Sequence, residues 1–406
     1  MQAIRFVKGG VCSAKGFRAA GVAAEIKYKG RNDVALIAAD APCAAAAVFT
    51  TNKVAAAPVA LCREVAKRGR AQAILANSGC ANACTGERGL ADARRSARAA
   101  AEVLGVPQEQ VFVASTGVIG RPLPMDRLLA GTKAAAAALG RSYEHGLAAE
   151  KAVMTTDTKP KQACVETKIG GKKVVVGGMC KGSGMIEPNM ATMLGFITTD
   201  AAVSPAMLRR ALRLAVAKSF NRVVVDGDES TNDSVFLLAS GMAGNAPVVR
   251  GGPDFDAFRA ALEAVCVSLA RQMAADGEGA TKFVTVTVRG ARSEKDAARA
   301  ARAVAKSPLA KTSWFGRDPN WGRVLAAVGY SGADVCDMKT EVFYDRVWAF
   351  RRGKVADERQ LAKLAKVLAK PSFEVVVDLH LGNGESSVYT CDFSLDYVHI
   401  NADYTT

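Results

Sequence analysis

Segments with a helical repeat alternate with short apolar, strand-like runs along most of this 406-residue chain. Apolar residues recur at three- and four-residue steps in stretches that we predict to be helices: 89–104, 125–140, 205–219, 255–275, 293–306 and 358–369. Runs rich in valine predict strands at 172–178, 222–227, 281–290 and 372–382. Because the two kinds of element interleave, the pattern favours a layered α/β fold over a helical bundle or a barrel of hairpins.

The chain is basic, with a formal net charge of +15. Its basic residues lie mostly on alanine-rich helical stretches such as 293–307, among acidic residues and almost without aromatics, which indicates solvated helix faces and no nucleic-acid partner. The start of the chain lacks the apolar core of a signal peptide, and no apolar run approaches the roughly 18 residues that cross a bilayer. These features predict a cytoplasmic protein without a membrane partner.

Several common chemistries are disfavoured by the spacing of the reactive residues. The chain has three histidines, and none stands in a nucleophile elbow or a metal-binding pair: His145, His380 and His399. Cys80 and Cys84 are the closest cysteine pair, and no second pair completes a zinc set. In the glycine-rich run after residue 176, Lys181 stands before the glycine that it should follow in a phosphate-binding loop. We therefore predict no metal and no nucleotide cofactor.

The run GGMCKGSGMIEPNMATMLGFITTDA, residues 177–201, offers a different chemistry. If the peptide bond between Ala191 and Thr192 were cut, Thr192 would carry both a hydroxyl nucleophile and an α-amine able to act as its base. The pKa of an α-amine is about 7.7–8.0, so part of it is neutral near pH 7. The alternative interpretation is an ordinary loop that leads into a strand.

A second segment could supply the other half of such a site. VFVASTGVIG, residues 111–120, is a strand-like run that breaks at Ser115-Thr116-Gly117. A glycine amide and a threonine hydroxyl at the end of a strand can donate hydrogen bonds to an oxyanion. A plain strand-to-loop turn would look the same.

Taken together, these segments resemble the ornithine acetyltransferase family, also called glutamate N-acetyltransferases. The likeness covers essentially the whole chain, because further segments match the family in order: FTTNKV (49–54), ANSGCANACTG (76–86), TTDTKPK (155–161), FNRVVVDGDESTNDS (220–234), DGEGATK (276–282), GRDPNWGR (316–323) and the terminal YVHINADYTT. A set of motifs this long is far more specific than a single glycine loop.

The resemblance implies a layered α/β/β/α fold like that of the N-terminal-nucleophile hydrolases. It also implies self-cleavage into an α chain, 1–191, and a β chain, 192–406, which assemble as α2β2. The family's catalytic roles then fall on Thr192 as nucleophile and on Thr116 and Gly117 as the oxyanion hole. Its substrate contacts fall on six residues: Thr155, Lys181, Thr192, Glu278, Asn401 and Thr406.

The implied reaction moves an acetyl group from N-acetylornithine to glutamate, giving ornithine and N-acetylglutamate through an acetyl-Thr192 ester. No cofactor is implied, and acetyl-CoA stays open as a second acetyl donor. Lys181 and Thr155 could bind the substrate's α-carboxylate, while Glu278 could bind its δ-ammonium. An aminopeptidase or amidase of the related self-cleaving fold is the main alternative function, and a basic nucleic-acid-binding protein is the other.

Overall fold

The structure is a computed structural model that describes residues 4–187 and 193–403. The described residues divide into two compact units. The first contains the chain up to Asn221 together with Asp228–Leu269, and the second contains Arg222–Gly227 together with the chain from Ala270 on.

The strands are numbered in chain order. They are β1 Arg5–Phe6, β2 Phe17–Val22, β3 Val34–Phe49, β4 Arg70–Asn77, β5 Val111–Ser115, β6 Lys161–Ile169, β7 Lys172–Lys181, β8 Leu194–Thr199, β9 Val223–Val224, β10 Ser234–Ala239, β11 Phe283–Ala291, β12 Glu341–Tyr344, β13 Val347–Arg351, β14 Lys354–Val355, β15 Ser372–Asp378 and β16 Gly384–Cys391.

The helices follow the same numbering. They are α1 Ala57–Arg68, α2 Gly86–Leu104, α3 Met125–Ala137, α4 Tyr143–Val153, α5 Pro205–Ala217, α6 Pro253–Ala275, α7 Glu294–Lys306, α8 Pro308–Phe315, α9 Trp321–Gly329, α10 Glu358–Leu368 and α11 Leu395–Asp403, with short 3₁₀ turns at Gln108–Gln110 and Phe220–Arg222.

The first unit is built on a mixed sheet. Its described strands follow the order β1-β6-β7-β8-β10-β3-β4-β5, and β2 pairs with β3 beside this path. The pairs β8–β10 and β4–β5 are parallel, and the other pairs are antiparallel. Phe236 on β10 contacts the rings of Phe112 and Phe196, with centroids 4.9 and 5.9 Å away, so aromatic packing joins three strands of this core.

The second unit has its own mixed sheet and its own core. Its described strands follow the order β14-β13-β12-β15-β11-β16-β9. Phe373 on β15 lies against Trp314 and Tyr344, with ring centroids 6.4 and 6.1 Å away. Helix α7 packs on β11 and β16 through small side chains, including the fully buried Ala297 and Ala301.

Local signals account for several helix starts. Ser204 precedes α5, accepts a hydrogen bond from the Met207 amide at 3.4 Å, and is followed by Pro205 in the first turn. Ser293 caps α7 by accepting a bond from the Asp296 amide at 3.1 Å. These caps explain why the predicted helix boundaries fall close to the observed ones.

The mixed α/β class predicted from the sequence is confirmed. Each stretch predicted as a helix holds a helix, and each predicted strand run holds a strand. The run 222–227 is mostly not strand, because only Val223 and Val224 find a partner, on β16. Of the helices in the described part of the chain, none is both long and apolar enough to cross a bilayer.

Candidate active site

Thr116 and Gly117 come directly after β5, where the strand ends against the loop that follows β4. The Thr116 amide donates to the Asn77 carbonyl at 3.0 Å, and the Thr116 side chain is buried. Gly117 has φ +126°, and a Cβ on it would lie 2.5 Å from the Gly79 carbonyl carbon and 2.7 Å from the Cys80 nitrogen. Only glycine fits here, because a side chain would collide with these backbone atoms and because the positive φ is unfavourable for other residues.

Lys181 ends β7 and brings two of the predicted site hydroxyls together. Its ammonium donates to Thr155 Oγ1 at 2.9 Å and to Thr116 Oγ1 at 3.4 Å. The Lys181 side chain is only 3% exposed, so its charge acts in a medium with little water. The predicted residues Thr116, Thr155 and Lys181 therefore form one cluster in the first unit.

Asp157 supports this cluster and was not predicted as a site residue. Its Oδ1 accepts from Lys161 Nζ and from the Gly182 amide, both at 2.7 Å. Its Oδ2 accepts from the Thr155 amide at 3.0 Å and lies 4.0 Å from Lys181 Nζ. Burial by itself would raise the pKa of Asp157, but the charges of Lys181 and Lys161 and the bonds it accepts lower that pKa to about 2.

Asp157→Asn is expected to destabilise the protein more at pH 5 than at pH 2. The folded pKa of about 2 lies below the ordinary value of 3.8, so the ionised carboxylate contributes stability above pH 4 that is lost as the pH falls toward 2. The shift corresponds to about 2 kcal/mol. Urea unfolding at both pH values should therefore show that the difference in free energy of unfolding between wild type and variant is smaller at pH 2 than at pH 5 by about this amount.

The exposed Asp126, in the first turn of α3, provides a control for this measurement. Asp126→Asn should change the free energy of unfolding by less than about 1 kcal/mol at either pH. If the difference in free energy of unfolding between wild type and Asp157→Asn is the same at pH 5 and pH 2, the assigned pKa is contradicted.

Ala191 and Thr192, the predicted cut bond, lie outside the described residues, which resume at Met193. Strands β7 and β8 pair antiparallel, with Lys181 opposite Leu194. The start of β8 therefore lies beside the strand end that carries Lys181.

Two of the predicted substrate contacts lie in the second unit. Asn401, on α11, donates from Nδ2 to Glu278 Oε2 at 2.8 Å and to the Tyr397 carbonyl at 3.0 Å. Glu278 is half-buried. The structure thus brings Glu278 and Asn401 together, while Thr406 lies outside the described residues.

The residues before β10 also approach the cluster's strand ends, and no role was predicted for them. Asn232 Nδ2 donates to the carbonyls of Ala81 and Ser115 at 2.7 and 2.8 Å. Asp233 Oδ1 accepts from the Met193 amide at 2.8 Å. The segment FNRVVVDGDESTNDS was prominent in the sequence, but nothing in it showed which strand ends its side chains would reach.

The cluster's chemistry suits an anion. A buried ammonium with two hydroxyls beside it provides donors for a carboxylate or for a developing oxyanion, and the bonds are strengthened by the low local dielectric. The described residues hold no group of three or more His, Cys, Asp or Glu side chains arranged for a metal ion.

The mixed sheets define a mixed α/β protein, and its strand-end cluster is a set of buried donors whose chemistry suits an anion. The comparison with protein families makes the assignment specific: the chain belongs to the ArgJ family, whose model matches residues 18–406.

Several relatives and solved structures resemble this chain over different shares of its length. The arginine biosynthesis bifunctional protein ArgJ of Symbiobacterium thermophilum is 53% identical, covering 99% of this chain and all of that protein. The crystal structure of ornithine acetyltransferase from Mycobacterium tuberculosis, complexed with ornithine, is 42% identical and covers 47% of this chain and 98% of that one, with a TM-score of 0.43. An L-aminopeptidase D-Ala-esterase/amidase from Ochrobactrum anthropi, described as a variant of the Ntn hydrolase fold, has a TM-score of 0.42 at 11% identity and covers 68% of this chain and 89% of that one.

Proposed function

We propose that this chain is a glutamate N-acetyltransferase of arginine biosynthesis, which moves the acetyl group of N-acetylornithine to glutamate. The observation that carries the proposal is the convergence of Thr116, Thr155 and Lys181, in a chain of the ArgJ family. N-acetylornithine and glutamate share an α-carboxylate, which is the kind of group that a buried ammonium and a hydroxyl bind. One pocket can therefore accept the two substrates in turn.

The nucleophile in this proposal is Thr192, freed by self-cleavage after Ala191. Its Oγ attacks the acetyl carbonyl carbon while its α-amine takes the hydroxyl proton. The Thr116 hydroxyl and the Gly117 amide donate to the oxyanion. Ornithine leaves as its α-nitrogen takes that proton back, which gives the acetyl ester. The amine of glutamate then attacks the ester carbonyl carbon and gives a proton to the α-amine of Thr192. The bond between that carbon and Oγ breaks, Oγ takes the proton from the α-amine, and N-acetylglutamate departs.

The sheet of the first unit explains how the cut chains would stay together. The proposed α chain, 1–191, ends after β7, and the β chain, 192–406, begins just before β8. These two strands pair over six residue positions, from Val176 opposite Thr199 to Lys181 opposite Leu194. Strands β8 and β10 also lie between β7 and β3, so both products would share one sheet and one core. Such products would associate without a linker as an αβ pair; the α2β2 assembly is proposed from the family resemblance alone.

The other substrate contacts are assigned to the second unit. Glu278 supplies a carboxylate for the δ-ammonium of ornithine. Asn401 Nδ2 orients that carboxylate by donating a hydrogen bond of 2.8 Å to Glu278 Oε2. Thr406 completes the set in this proposal. We place the reaction in the cytoplasm, together with its amino-acid substrates.

The test is to incubate the enzyme with N-acetylornithine in the absence of glutamate. We expect the mass of the fragment that begins at Thr192 to rise by one acetyl group, and we expect glutamate or ornithine to remove it. Initial-rate lines at several glutamate concentrations should run parallel, because the acetyl-enzyme separates the two half-reactions.

Two results would contradict the proposal. Intersecting lines with no acetyl label on the fragment would exclude a covalent intermediate. Steady acetate release that does not depend on glutamate would favour the aminopeptidase or amidase alternative, in which water accepts the acyl group.

The name of the curated relatives supports a second activity, because those proteins are called bifunctional. We assign to this chain the acetylation of glutamate by acetyl-CoA at the same threonine. Acetyl-CoA should then label the Thr192 fragment with one acetyl group, as N-acetylornithine does.

A further inference from the structure

The buried segment Ser230–Asp233, just before β10, joins three of the sequence motifs, although the proposed reaction gives it no role. Thr50, in the motif FTTNKV, donates from its hydroxyl to the Ser230 carbonyl at 2.9 Å and from its amide to the Asp233 carbonyl at 3.0 Å. The side chain of Asn232 contacts the other two motifs, ANSGCANACTG and VFVASTGVIG. The segment is therefore a point where loops from distant parts of the first unit are bonded together.

The side-chain amide of Asn232 bridges two of these loops. Its Nδ2 donates to the Ala81 carbonyl at 2.7 Å and to the Ser115 carbonyl at 2.8 Å, and its Oδ1 accepts from the Thr231 hydroxyl at 2.6 Å. Carbonyl oxygens can only accept, so the nitrogen of the amide, and not its oxygen, must face them. Both hydrogens of that nitrogen are used, which fixes the side chain in one orientation.

The two carbonyls held by this amide belong to the backbone that forms the turn at Thr116-Gly117. The Ser115 carbonyl is part of the peptide bond whose nitrogen is that of Thr116. On the other side of the turn, the Ala81 amide donates to the Val118 carbonyl at 2.9 Å. One side chain therefore ties the residue before the proposed oxyanion donors to the loop that pairs with the residue after them.

We propose that Asn232 is a positioning residue for the acyl transfer, because it holds the Thr116-Gly117 turn in the conformation that directs its hydroxyl and amide at the oxyanion. Donors of this kind lower the barrier most when they are already in place before the charge develops. Asn232 acts through the backbone of the turn and takes no part in making or breaking bonds. The inference rests on the proposed function, and specifically on the oxyanion role of this turn.

A second buried asparagine supports the same turn. The Ser115 hydroxyl donates to Asn77 Oδ1 at 2.7 Å, and Asn77 Nδ2 donates to the Cys80 carbonyl at 3.0 Å. Truncation of Asn232 would therefore leave the turn partly held, with two buried carbonyls that have lost a donor. Because such carbonyls move toward other donors, the expected result is a displaced turn in a folded protein.

The test compares Asn232→Ala with wild type in the full-length enzyme, with kcat expressed per cut chain. We expect kcat to fall about 10- to 100-fold, while KM for N-acetylornithine stays within about threefold. Formation of the acetyl-enzyme and its removal by glutamate should slow by similar factors, because an oxyanion develops in both steps. Asn232→Ser keeps one hydroxyl donor, so it should lose less stability and serves as the second variant if the alanine protein does not fold.

A double variant shows whether Asn232 acts through the turn. Gly117→Ala displaces the same donors directly, so adding Asn232→Ala to it should lower kcat by no more than about a further threefold. Two independent effects would instead multiply. A purely structural loss of stability at Asn232 would not produce this dependence on Gly117.

Asn245→Ala is the matched control, in the chain that follows the other end of β10. Asn245 is also buried, and its Nδ2 also donates to two backbone carbonyls, those of Ala202 at 3.2 Å and Ala246 at 2.8 Å. Its Oδ1 accepts from the Ala202 amide at 2.9 Å. We expect this variant to lower the melting temperature to a similar extent as Asn232→Ala and to leave kcat within about twofold of wild type.

The proposal is overturned if folded Asn232→Ala or Asn232→Ser transfers acetyl groups with wild-type kcat. It is also overturned if Asn245→Ala loses as much activity, or if the effects of Asn232→Ala and Gly117→Ala multiply in full, because Asn232 would then be structural. These results leave the proposed function intact as long as Thr192→Ala is inactive. If Thr192→Ala still transferred acetyl groups, the proposed function itself would fail.

Discussion

Thr192→Ala is expected to leave the chain uncut and to reduce acetyl transfer by about 10⁴-fold or more, because the variant lacks the oxygen that attacks in both reactions. A denaturing gel of the purified variant should show one band where the wild type shows two. Intact-mass measurement and transfer from N-acetylornithine to glutamate would check both losses. N-terminal sequencing of the wild type should give a second sequence that begins Thr-Met-Leu-Gly.

Two further threonine variants separate the chemistry from folding. Thr192→Ser keeps a hydroxyl and should retain part of each activity. Thr198 is a buried threonine on β8 whose hydroxyl donates to the Val11 carbonyl at 2.7 Å. Thr198→Ala should cost about 1 kcal/mol of stability and still be cut. An active, two-band Thr192→Ala protein would contradict the nucleophile assignment.

Gly117→Ala is the second variant with a large expected effect. Its new Cβ would meet the Gly79 carbonyl carbon at 2.5 Å and the Cys80 nitrogen at 2.7 Å, and these are backbone atoms that cannot rotate away. The Thr116–Gly117 segment must shift, which displaces the donors assigned to the oxyanion. We expect kcat to fall about 10²- to 10³-fold, with a smaller change in KM. Steady-state kinetics on cut protein would measure both.

Gly120→Ala tests whether the backbone dihedral alone produces the effect. Gly120 also has a positive φ, +79°, but a Cβ on it would have no atom within 4 Å. We expect a loss of about 1 kcal/mol in stability and little change in kcat. If Gly117→Ala kept wild-type kcat, the oxyanion role of this segment would be wrong.

The sequence predicted helices well because their signals are local. The spacing of apolar residues, the cap at Ser204 and the proline that follows it all lie within the helix or beside it. Strand extent was harder to predict, since it depends on the partner strand. The run 222–227 shows this: its valines favour a strand, but β16 pairs with only Val223 and Val224.

For the site, the sequence motifs and the resemblance they carry named Thr116, Thr155 and Lys181, and the structure brings these three together. Asp157 was overlooked, although it stands inside the quoted TTDTKPK segment. No local pattern tells that a surface-type residue such as aspartate will be buried between two lysines.

By itself, the sequence determined the α/β class and the positions of the main helices, because both follow from the local spacing of apolar residues. It also determined the family, because the motifs identify it. Tertiary structure alone decided which side chains meet. Lys181 and Thr116 are 65 residues apart, and Asp233 and Met193 are 40 apart. Strand order in a mixed sheet sets such contacts, and that order depends on long-range pairing and on the burial of charge, which no local stretch of sequence encodes.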